Sequence, residues 1–209
     1  CGGIRFKNLR LGVSRAREEL EALAGEPVGE VTAAGGDAVP DARVLVGTEA
    51  VLHRVVSAAA VAFLDFDQEL LATRYRAAEQ ALGLLARAAR VVRGGPGRPH
   101  GRVLVQTRTP DHVVLLAAQR ADPGRLVASE RPLRAALQFP PASAMAVVSG
   151  EASAAFMERF GAPVGVMVQG PVDGAWRLRA PDHQILCDAL GSVARPPGRL
   201  RIEVDPLRA

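Results

Sequence analysis

The sequence predicts an α/β protein, with a parallel sheet covered by helices in its first part and a small α+β domain in its last part. Strands alternate with helices over about the first 122 residues, which is typical of doubly wound parallel sheets. Of the 209 residues, 48% are apolar, enough to bury substantial cores. Only 4% are aromatic, so Val, Leu and Ala must fill those cores.

The first part contains short apolar runs that predict strands, because a run with apolar residues on both faces belongs inside a covered sheet. A helix from Arg15 to Ala24, capped by Ser14 and ended by Gly25, is predicted from its cap residues and periodicity. The predicted strands are Phe6–Leu11, Val28–Val31, Val44–Val46, Val61–Phe66 and Arg102–Gln106.

One long helix is predicted from Gln68 to Val92 because apolar residues recur at spacings of three and four. Its expected apolar stripe is Leu71, Tyr75, Ala78, Leu82, Leu85 and Ala89. Its expected polar stripe is Arg76, Glu79, Gly83, Arg87 and Arg90.

Three regions are predicted along the chain. Residues 1–122 form the parallel α/β domain, residues 123–142 form a connector with a short helix from Ser129, and residues 143–209 form the α+β domain. The last region reads strand, helix, strand, strand, helix, strand, which is the split βαβ pattern. Its predicted elements are Met145–Ser149, Glu151–Phe160, Val164–Gln169, Ala175–Ala180, Pro181–Leu190 and Leu200–Val204.

The basic residues are concentrated in the middle of the chain. The whole chain has a net charge of +4, whereas residues 74–134 carry 12 arginines against four carboxylates. Such a block favours binding to phosphate backbones, because neutralising them releases counterions whatever the base sequence. The alternative is a solvated arginine-rich surface. The expected DNA-binding residues are Arg76, Arg87, Arg90, Arg93, Arg98 and Arg102.

Cysteine and histidine usage argues against a disulfide-stabilised protein and against a histidine-based metal site. The two cysteines, Cys1 and Cys187, lie far apart, which predicts no disulfide framework and a cytoplasmic protein. The four histidines show no ligand spacing, and no apolar run reaches the length of a membrane span. The first residue is Cys rather than Met, which indicates a piece of a longer protein.

Three small groups of residues are candidates for ligand or metal binding. Arg87 and Arg90, three residues apart on one helix, can project together onto phosphate oxygens, or can be solvated. Gly47-Thr48 ends a strand where α/β sheets place functional loops, although an ordinary turn is the simpler interpretation. Asp65 and Asp67 alternate across a strand and suit a shared metal poorly; Asp67 is expected to cap the following helix.

Five stretches, in order, resemble the C-terminal portion of the PriA family of primosomal replication-restart proteins. The resemblance spans nearly the whole chain, and its specificity lies in the ordered set rather than in any single motif. The stretches are Cys1-Gly2; Val44–Thr48; Phe63–Asp67 with Tyr75–Glu79; Gly101–Thr107 with Phe139–Pro141; and Gln169–Pro171 with Trp176 and Val204–Pro206.

The resemblance implies a RecA-like second helicase lobe followed by a ferredoxin-like C-terminal domain that binds forked or single-stranded DNA. It implies zinc at Cys1, as the end of a zinc-binding insertion, and ATP near Gly47, Thr48, Arg87 and Arg90. The implied partners are primosome proteins and single-stranded-DNA-binding protein. The residues that grip the latter's acidic tail in the family fall near His183 and Cys187, which supply different groups here.

The chain departs from the family in its motor motifs. The glycine-rich arginine motif, Q-V-A-G-R-A-G-R in the family, is Gly83–Arg90 here and keeps both arginines but loses the glutamine and two glycines. The Lys-Gly expected after Gly47-Thr48 is also replaced. The chain therefore resembles degenerate members of the family, and we expect fork-DNA binding and primosome assembly without ATPase or helicase activity.

Two other functions remain open from the sequence. One is an ATP-dependent helicase completed by an upstream lobe, in which Arg87 and Arg90 act as arginine fingers. The other is an adaptor that binds replisome proteins, with its arginines only solvated. ATPase measurements and DNA-free pull-downs distinguish these alternatives.

Overall fold

The protein is mixed α/β. A computed structural model describes residues 12–36, 38–94, 99 and 101–207, and the predicted first strand, Phe6–Leu11, lies outside them. The chain separates into two compact units. The first comprises Cys1–Phe66 with Gly83–Thr107, and the second comprises Asp67–Leu82 with Arg108–Ala209. The domain boundaries expected at residues 122 and 142 stay a prediction.

The first unit contains two pairs of parallel strands. Its elements before the long helix are α1 (Val13–Ala24), β1 (Val28–Val31), β2 (Val44–Gly47), α2 (Ala50–Arg54) and β3 (Ala60–Phe63). After the helix comes β4 (Arg102–Val105). Strand β1 pairs with β2, and β3 pairs with β4, both in parallel. Parallel pairing of these apolar runs is confirmed.

The ends of α1 follow the sequence signals in part. Gly25 adopts a left-handed conformation, with φ of 68°, and its N–H donates to the Glu21 carbonyl; the predicted glycine stop is confirmed. The predicted Ser14 cap is wrong, since the N-cap is Gly12. The Ser14 hydroxyl instead donates to a Glu30 carboxylate oxygen at 3.5 Å.

The expectation of strands buried on both faces is wrong for β3 and β4, although it holds for β1, where Val28, Gly29 and Val31 are buried. Residues of β3 and β4 alternate between exposed and half-buried, and Leu104 is 56% exposed. The reason is that the described strands of this unit form two separate two-stranded sheets rather than one continuous sheet. The apolar runs predict strands correctly, but they do not reveal how many layers cover them.

The single long helix predicted from Gln68 to Val92 is two helices. The observed elements are α3 (Asp67–Leu70) and α4 (Ala77–Val91). The segment between them is held by side-chain bonds, because Arg74 Nη2 donates to Glu69 at 2.9 Å and the Tyr75 hydroxyl donates to the Pro206 carbonyl at 2.7 Å. These contacts override the helical periodicity of the segment.

The buried face of α4 is also displaced from the predicted stripe. The buried residues of this helix include Ala81, Leu85, Ala88 and Val91. Ala89, which was predicted to lie in the apolar stripe, is exposed. Of the predicted stripe only Leu85 is fully buried in α4. The opposite face, with Gly83, Arg87 and Arg90 exposed, agrees with the predicted polar stripe.

The second unit begins with α3 and the start of α4, and then contains α5 (Val113–Gln119) and α6 (Pro123–Ala136). The short helix predicted from Ser129 is therefore longer, since α6 starts at Pro123. A proline suits the first turn of a helix because the N–H that it lacks has no intrahelical partner there.

The last part of the chain has the predicted order of strands and helices. Strands β5 and β7 pair antiparallel in the middle of a four-stranded sheet of order β6-β7-β5-β8. Phe156, Leu178 and Leu186 are among the fully buried residues of its core. The elements are β5 (Ala144–Ser149), α7 (Ser153–Phe160), β6 (Met167–Val172), β7 (Ala175–Ala180), α8 (His183–Gly191) and β8 (Arg201–Val204).

Candidate nucleic-acid interface

Three arginines form a row on one face of the C-terminal half of α4. Arg87, Arg90 and Arg93 follow each other at three-residue intervals, and all three are exposed. Arg93 lies just past the last residue of the helix, but its N–H donates to the Arg90 carbonyl at 3.3 Å, so the helical turn continues to it. Residues three apart on a helix are neighbours, and the row extends over about 9 Å.

The row faces outward because the other side of the helix is apolar. Leu85, Ala88 and Val91 are buried, while Ala86 and Ala89 are exposed between the arginines. Alanines do not obstruct an approaching surface, since they have the shortest side chain after glycine. The arginines therefore project from a helix face without bulky neighbouring side chains, and their guanidiniums are accessible.

No carboxylate neutralises this row within the part of the chain that the structure describes. The sequence from Gln80 to Pro110 contains six arginines and neither Asp nor Glu. The ion pairs found among the described residues do not include Arg87, Arg90 or Arg93. Unpaired guanidiniums keep all their N–H donors available for phosphate oxygens.

A backbone hydrogen bond places Arg102 next to the arginine row. The Gly101 N–H donates to the Val92 carbonyl at 2.8 Å. Arg102 follows Gly101 and Arg93 follows Val92, so the two arginines start from adjacent backbone positions. Arg102 is exposed on β4 and its own N–H donates to the Ala59 carbonyl at 3.1 Å. We call Arg87, Arg90, Arg93 and Arg102 together the arginine surface.

The other two arginines expected to bind DNA are not part of this surface. Arg98 lies outside the described residues. Arg76 belongs to the second unit, where its Nε donates to Glu79 at 2.7 Å. That hydrogen bond raises the pKa of Arg76 above its ordinary value, so the side chain stays charged. Its Nη1 is occupied as well, since it donates to the Asp205 carbonyl at 3.4 Å. DNA binding by all six arginines stays a prediction.

A buried arginine in the second unit explains part of the basic block differently. Arg134 is only 6% exposed and forms ion pairs with Glu79 at 2.6 Å and Glu130 at 3.3 Å. Its Nη1 also donates to the Pro140 carbonyl at 3.2 Å. This arginine therefore stabilises the second unit rather than presenting charge to a partner.

The expected nucleotide-binding pair is accounted for by local packing. A Cβ at Gly47 would overlap the Val31 carbonyl oxygen on the neighbouring strand, so glycine is needed for the two strands to approach. The Thr48 hydroxyl accepts from the Ala50 N–H at 3.5 Å, at the start of α2. Neither feature requires a nucleotide, and ATP binding near Gly47, Thr48, Arg87 and Arg90 stays a prediction.

Replacing Gly47 tests the packing explanation. We expect Gly47→Ala to lower the free energy of unfolding of the first unit by roughly 2 kcal/mol, because the added methyl group forces β1 and β2 apart. Urea denaturation followed by circular dichroism measures the change. Gly36→Ala is the matched control for removing glycine without a clash, although the positive φ of Gly36 (75°) also costs some energy. If both variants lost the same stability, close packing against Val31 would not explain the glycine.

Asp67, expected to cap the helix after β3, is the first residue of α3. Its carboxylate accepts from the Arg108 N–H at 2.9 Å and from the Thr109 hydroxyl at 3.4 Å. The carboxylate therefore contacts the loop that begins at Arg108, and its role as a helix cap stays a prediction.

The proposed zinc ligand cannot be placed, because Cys1 lies outside the described residues. Cys187 is an exposed free cysteine on α8. His183, near which the family's tail-binding residues fall, pairs with Asp205 at 2.7 Å between Nε2 and Oδ2. The part of the chain described by the structure contains no group of three or more His, Cys, Asp or Glu side chains arranged to hold a metal.

Sequence reasoning missed the cluster around Tyr75. The Tyr75 ring stacks on Phe139 at 5.3 Å between centroids, and the Arg134 guanidinium lies 5.9 Å from the Tyr75 ring centre. Both rings lie in stretches that carry the resemblance, Tyr75–Glu79 and Phe139–Pro141, but nothing in the sequence indicates that they stack. The spacing of Tyr75 from its apolar neighbours matches a helical repeat and predicts a place on a helix instead.

The described helices provide no membrane span, since none combines sufficient length with apolar character. Comparison with models of known protein families gave no match, and comparison with curated protein sequences gave none either.

Proposed function

We propose that this chain binds the phosphate backbone of forked DNA and serves primosome assembly in replication restart, without hydrolysing ATP. The observation that carries the proposal is the arginine surface, in which Arg87, Arg90 and Arg93 are exposed on one helix face without a carboxylate partner among the described residues. Contacts to phosphates fix position but carry no base sequence. The chain therefore recognises DNA by its structure, such as a fork, rather than by its base sequence.

The resemblance to the PriA family supports forked DNA as the ligand. It favours a RecA-like lobe for the first part of the chain and a ferredoxin-like domain for residues 143–209. The strand order β6-β7-β5-β8, antiparallel throughout, is compatible with the latter. Primosome proteins and single-stranded-DNA-binding protein are the proposed partners, zinc at Cys1 the proposed metal, and the cytoplasmic nucleoid the proposed location.

A salt titration with a forked DNA tests the proposal. If about three phosphates are neutralised, the logarithm of the binding constant falls with the logarithm of salt concentration with a slope near −3. We therefore expect affinity to fall about 50-fold between 50 and 200 mM salt. Fluorescence anisotropy of a labelled fork measures it, and a flat response would count against phosphate binding.

The adaptor function is a second candidate, and the inward-facing arginines of the second unit favour it. Arg74, Arg76 and Arg134 each pair with a carboxylate, so this unit offers less free positive charge than its sequence suggests. Pull-down of replisome proteins from nuclease-treated extract, with the parent chain and with Arg87→Ala/Arg90→Ala, separates the two functions. Equal capture by both chains, together with no fork binding, would favour the adaptor.

The helicase alternative predicts DNA-stimulated ATP hydrolysis. We expect no stimulated ATPase activity from the chain with forked DNA, because Gly47 and Thr48 are engaged in local packing and the glycines of the arginine motif are absent. The same measurement on a longer protein that includes an upstream lobe decides between a DNA-binding factor and a motor.

A further inference from the structure

The segment Asp205–Leu207, called the strap below, follows β8 and is bonded along its backbone to residues 75–80. The Asp205 carbonyl accepts from Arg76 Nη1 at 3.4 Å, the Pro206 carbonyl from the Tyr75 hydroxyl at 2.7 Å, and the Leu207 carbonyl from Gln80 Nε2 at 2.9 Å. Three successive carbonyl groups are thus held by three side chains from one short stretch. All of these residues belong to the second unit.

Two of the three donors, Tyr75 and Arg76, are oriented by residues outside the strap. Tyr75 stacks on Phe139, and its carbonyl accepts from Arg134 Nη2 at 3.4 Å. Arg76 is fixed by Glu79, which is itself paired with Arg134. A site whose groups are held in place before the ligand arrives loses little conformational freedom on binding. The strap therefore occupies a surface that the rest of the unit has already built.

The Tyr75 hydroxyl remains a donor at physiological pH. Burial raises the pKa of Tyr75 above its ordinary value, because the phenolate is disfavoured away from water. A neutral phenol donates one hydrogen bond, which the Pro206 carbonyl accepts. The site is therefore built for a carbonyl and not for a cation.

The three donors contact only the backbone of the strap, and other residues hold its side chains. Pro206 is buried, the Asp205 carboxylate pairs with His183 at 2.7 Å, and the Leu207 side chain is 61% exposed. The strap is bent rather than extended, since Asp205 has a φ of 49°, and the proline ring fixes its own φ before binding. Recognition through carbonyls and a buried proline does not depend on the segment being part of the same chain.

We propose that Tyr75, Arg76 and Gln80 form a binding site for bent, Asp-Pro-containing peptide segments, and that the strap fills this site in cis. A partner segment with an Asp-Pro sequence competes with the strap for the same three donors. This inference is independent of DNA binding, since it uses none of the residues of the arginine surface. Because a tethered segment acts at an effective concentration in the millimolar range, the competing segment binds well only when the strap is weakened.

The test uses the full chain and a fluorescently labelled, blocked peptide with the sequence of residues 202–207. Pro206→Ser weakens the strap while leaving the three donors intact. We expect the peptide to bind this variant at least ten-fold more tightly than it binds the parent. Adding Tyr75→Phe, which keeps the ring stack and removes the hydroxyl, abolishes the gain. Leu207→Ser, at an exposed side chain of the strap, is the matched control and behaves as the parent does.

Equal binding by the parent and Pro206→Ser, or a gain that persists with Tyr75→Phe, overturns the proposal. A second measurement decides the matter if Pro206→Ser does not fold, as judged by circular dichroism. In the parent chain, millimolar peptide should shift the Leu207 methyl resonances towards their position in an unstructured chain. A peptide with serine in place of the proline should not. Unchanged Leu207 resonances in that experiment would also overturn the proposal.

Discussion

Reversing two charges in the arginine row, with Arg87→Glu and Arg90→Glu, should weaken forked-DNA binding about 100-fold at 100 mM salt. Both guanidiniums are exposed and lack a carboxylate partner within the described residues, so the change removes two phosphate contacts and adds repulsion. The fold should be unaffected, because both side chains project away from the buried face of α4. Fluorescence anisotropy gives the affinity, and circular dichroism verifies the fold.

The matched control is Arg15→Glu with Arg43→Glu, which changes the net charge by the same amount in the same unit. These arginines are exposed but already paired, Arg15 with Glu19 at 3.0 Å and Arg43 with Glu26 at 3.1 Å. We expect less than a five-fold effect from this control at the same salt, since only long-range attraction is reduced. Equal losses in both variants would mean that net charge, rather than the arginine row, determines binding.

Replacing Arg134 with methionine should lower the free energy of unfolding of the second unit by about 3 kcal/mol, because the change leaves Glu130 without its cation and Glu79 with Arg76 alone. Arg134 is 6% exposed and pairs with both Glu79 and Glu130. Methionine fills a similar volume without the charge, so lost packing contributes little. The expected fall in melting temperature is about 10 °C.

Arg131→Met on the same helix provides the control, because Arg131 is exposed. A change within 0.5 kcal/mol is expected there, as is usual for substitutions at the surface. The Arg134 account would be contradicted if the two variants had the same stability in urea denaturation. Glu79 is 38% exposed. Because solvent screens that carboxylate, the loss of stability is smaller than for a fully buried ion pair.

Sequence periodicity was sufficient where local signals and packing agree. The β-α-β-β-α-β order was predictable because Gly161 ends the first helix and the elements have ordinary lengths. The bounds of β6 were not, since the strand continues through Gly170-Pro171 to Val172. Gly25 could be assigned as a helix stop because a left-handed residue there favours glycine. The outward-facing Arg87 and Arg90 followed from the same helical repeat that places Leu85 and Ala88 in the core.

Contacts between residues distant in sequence could not be predicted in this way. Tyr75 bonds to Pro206, 131 positions away, and this contact interrupts a helical repeat that otherwise continues from Gln68. The pairing of Arg134 with Glu79 likewise joins two segments of the basic block that sequence spacing does not relate. A basic block in the sequence therefore overestimates the free positive charge, because inward pairing depends on the fold.

The salt dependence of fork binding by Arg87→Glu/Arg90→Glu, measured beside that of the parent, tests the central claim most directly. Each arginine that contacts a phosphate contributes about one to the slope of log affinity against log salt. The account predicts a slope smaller by about two in the variant. An unchanged slope would show that these two guanidiniums do not meet the DNA backbone.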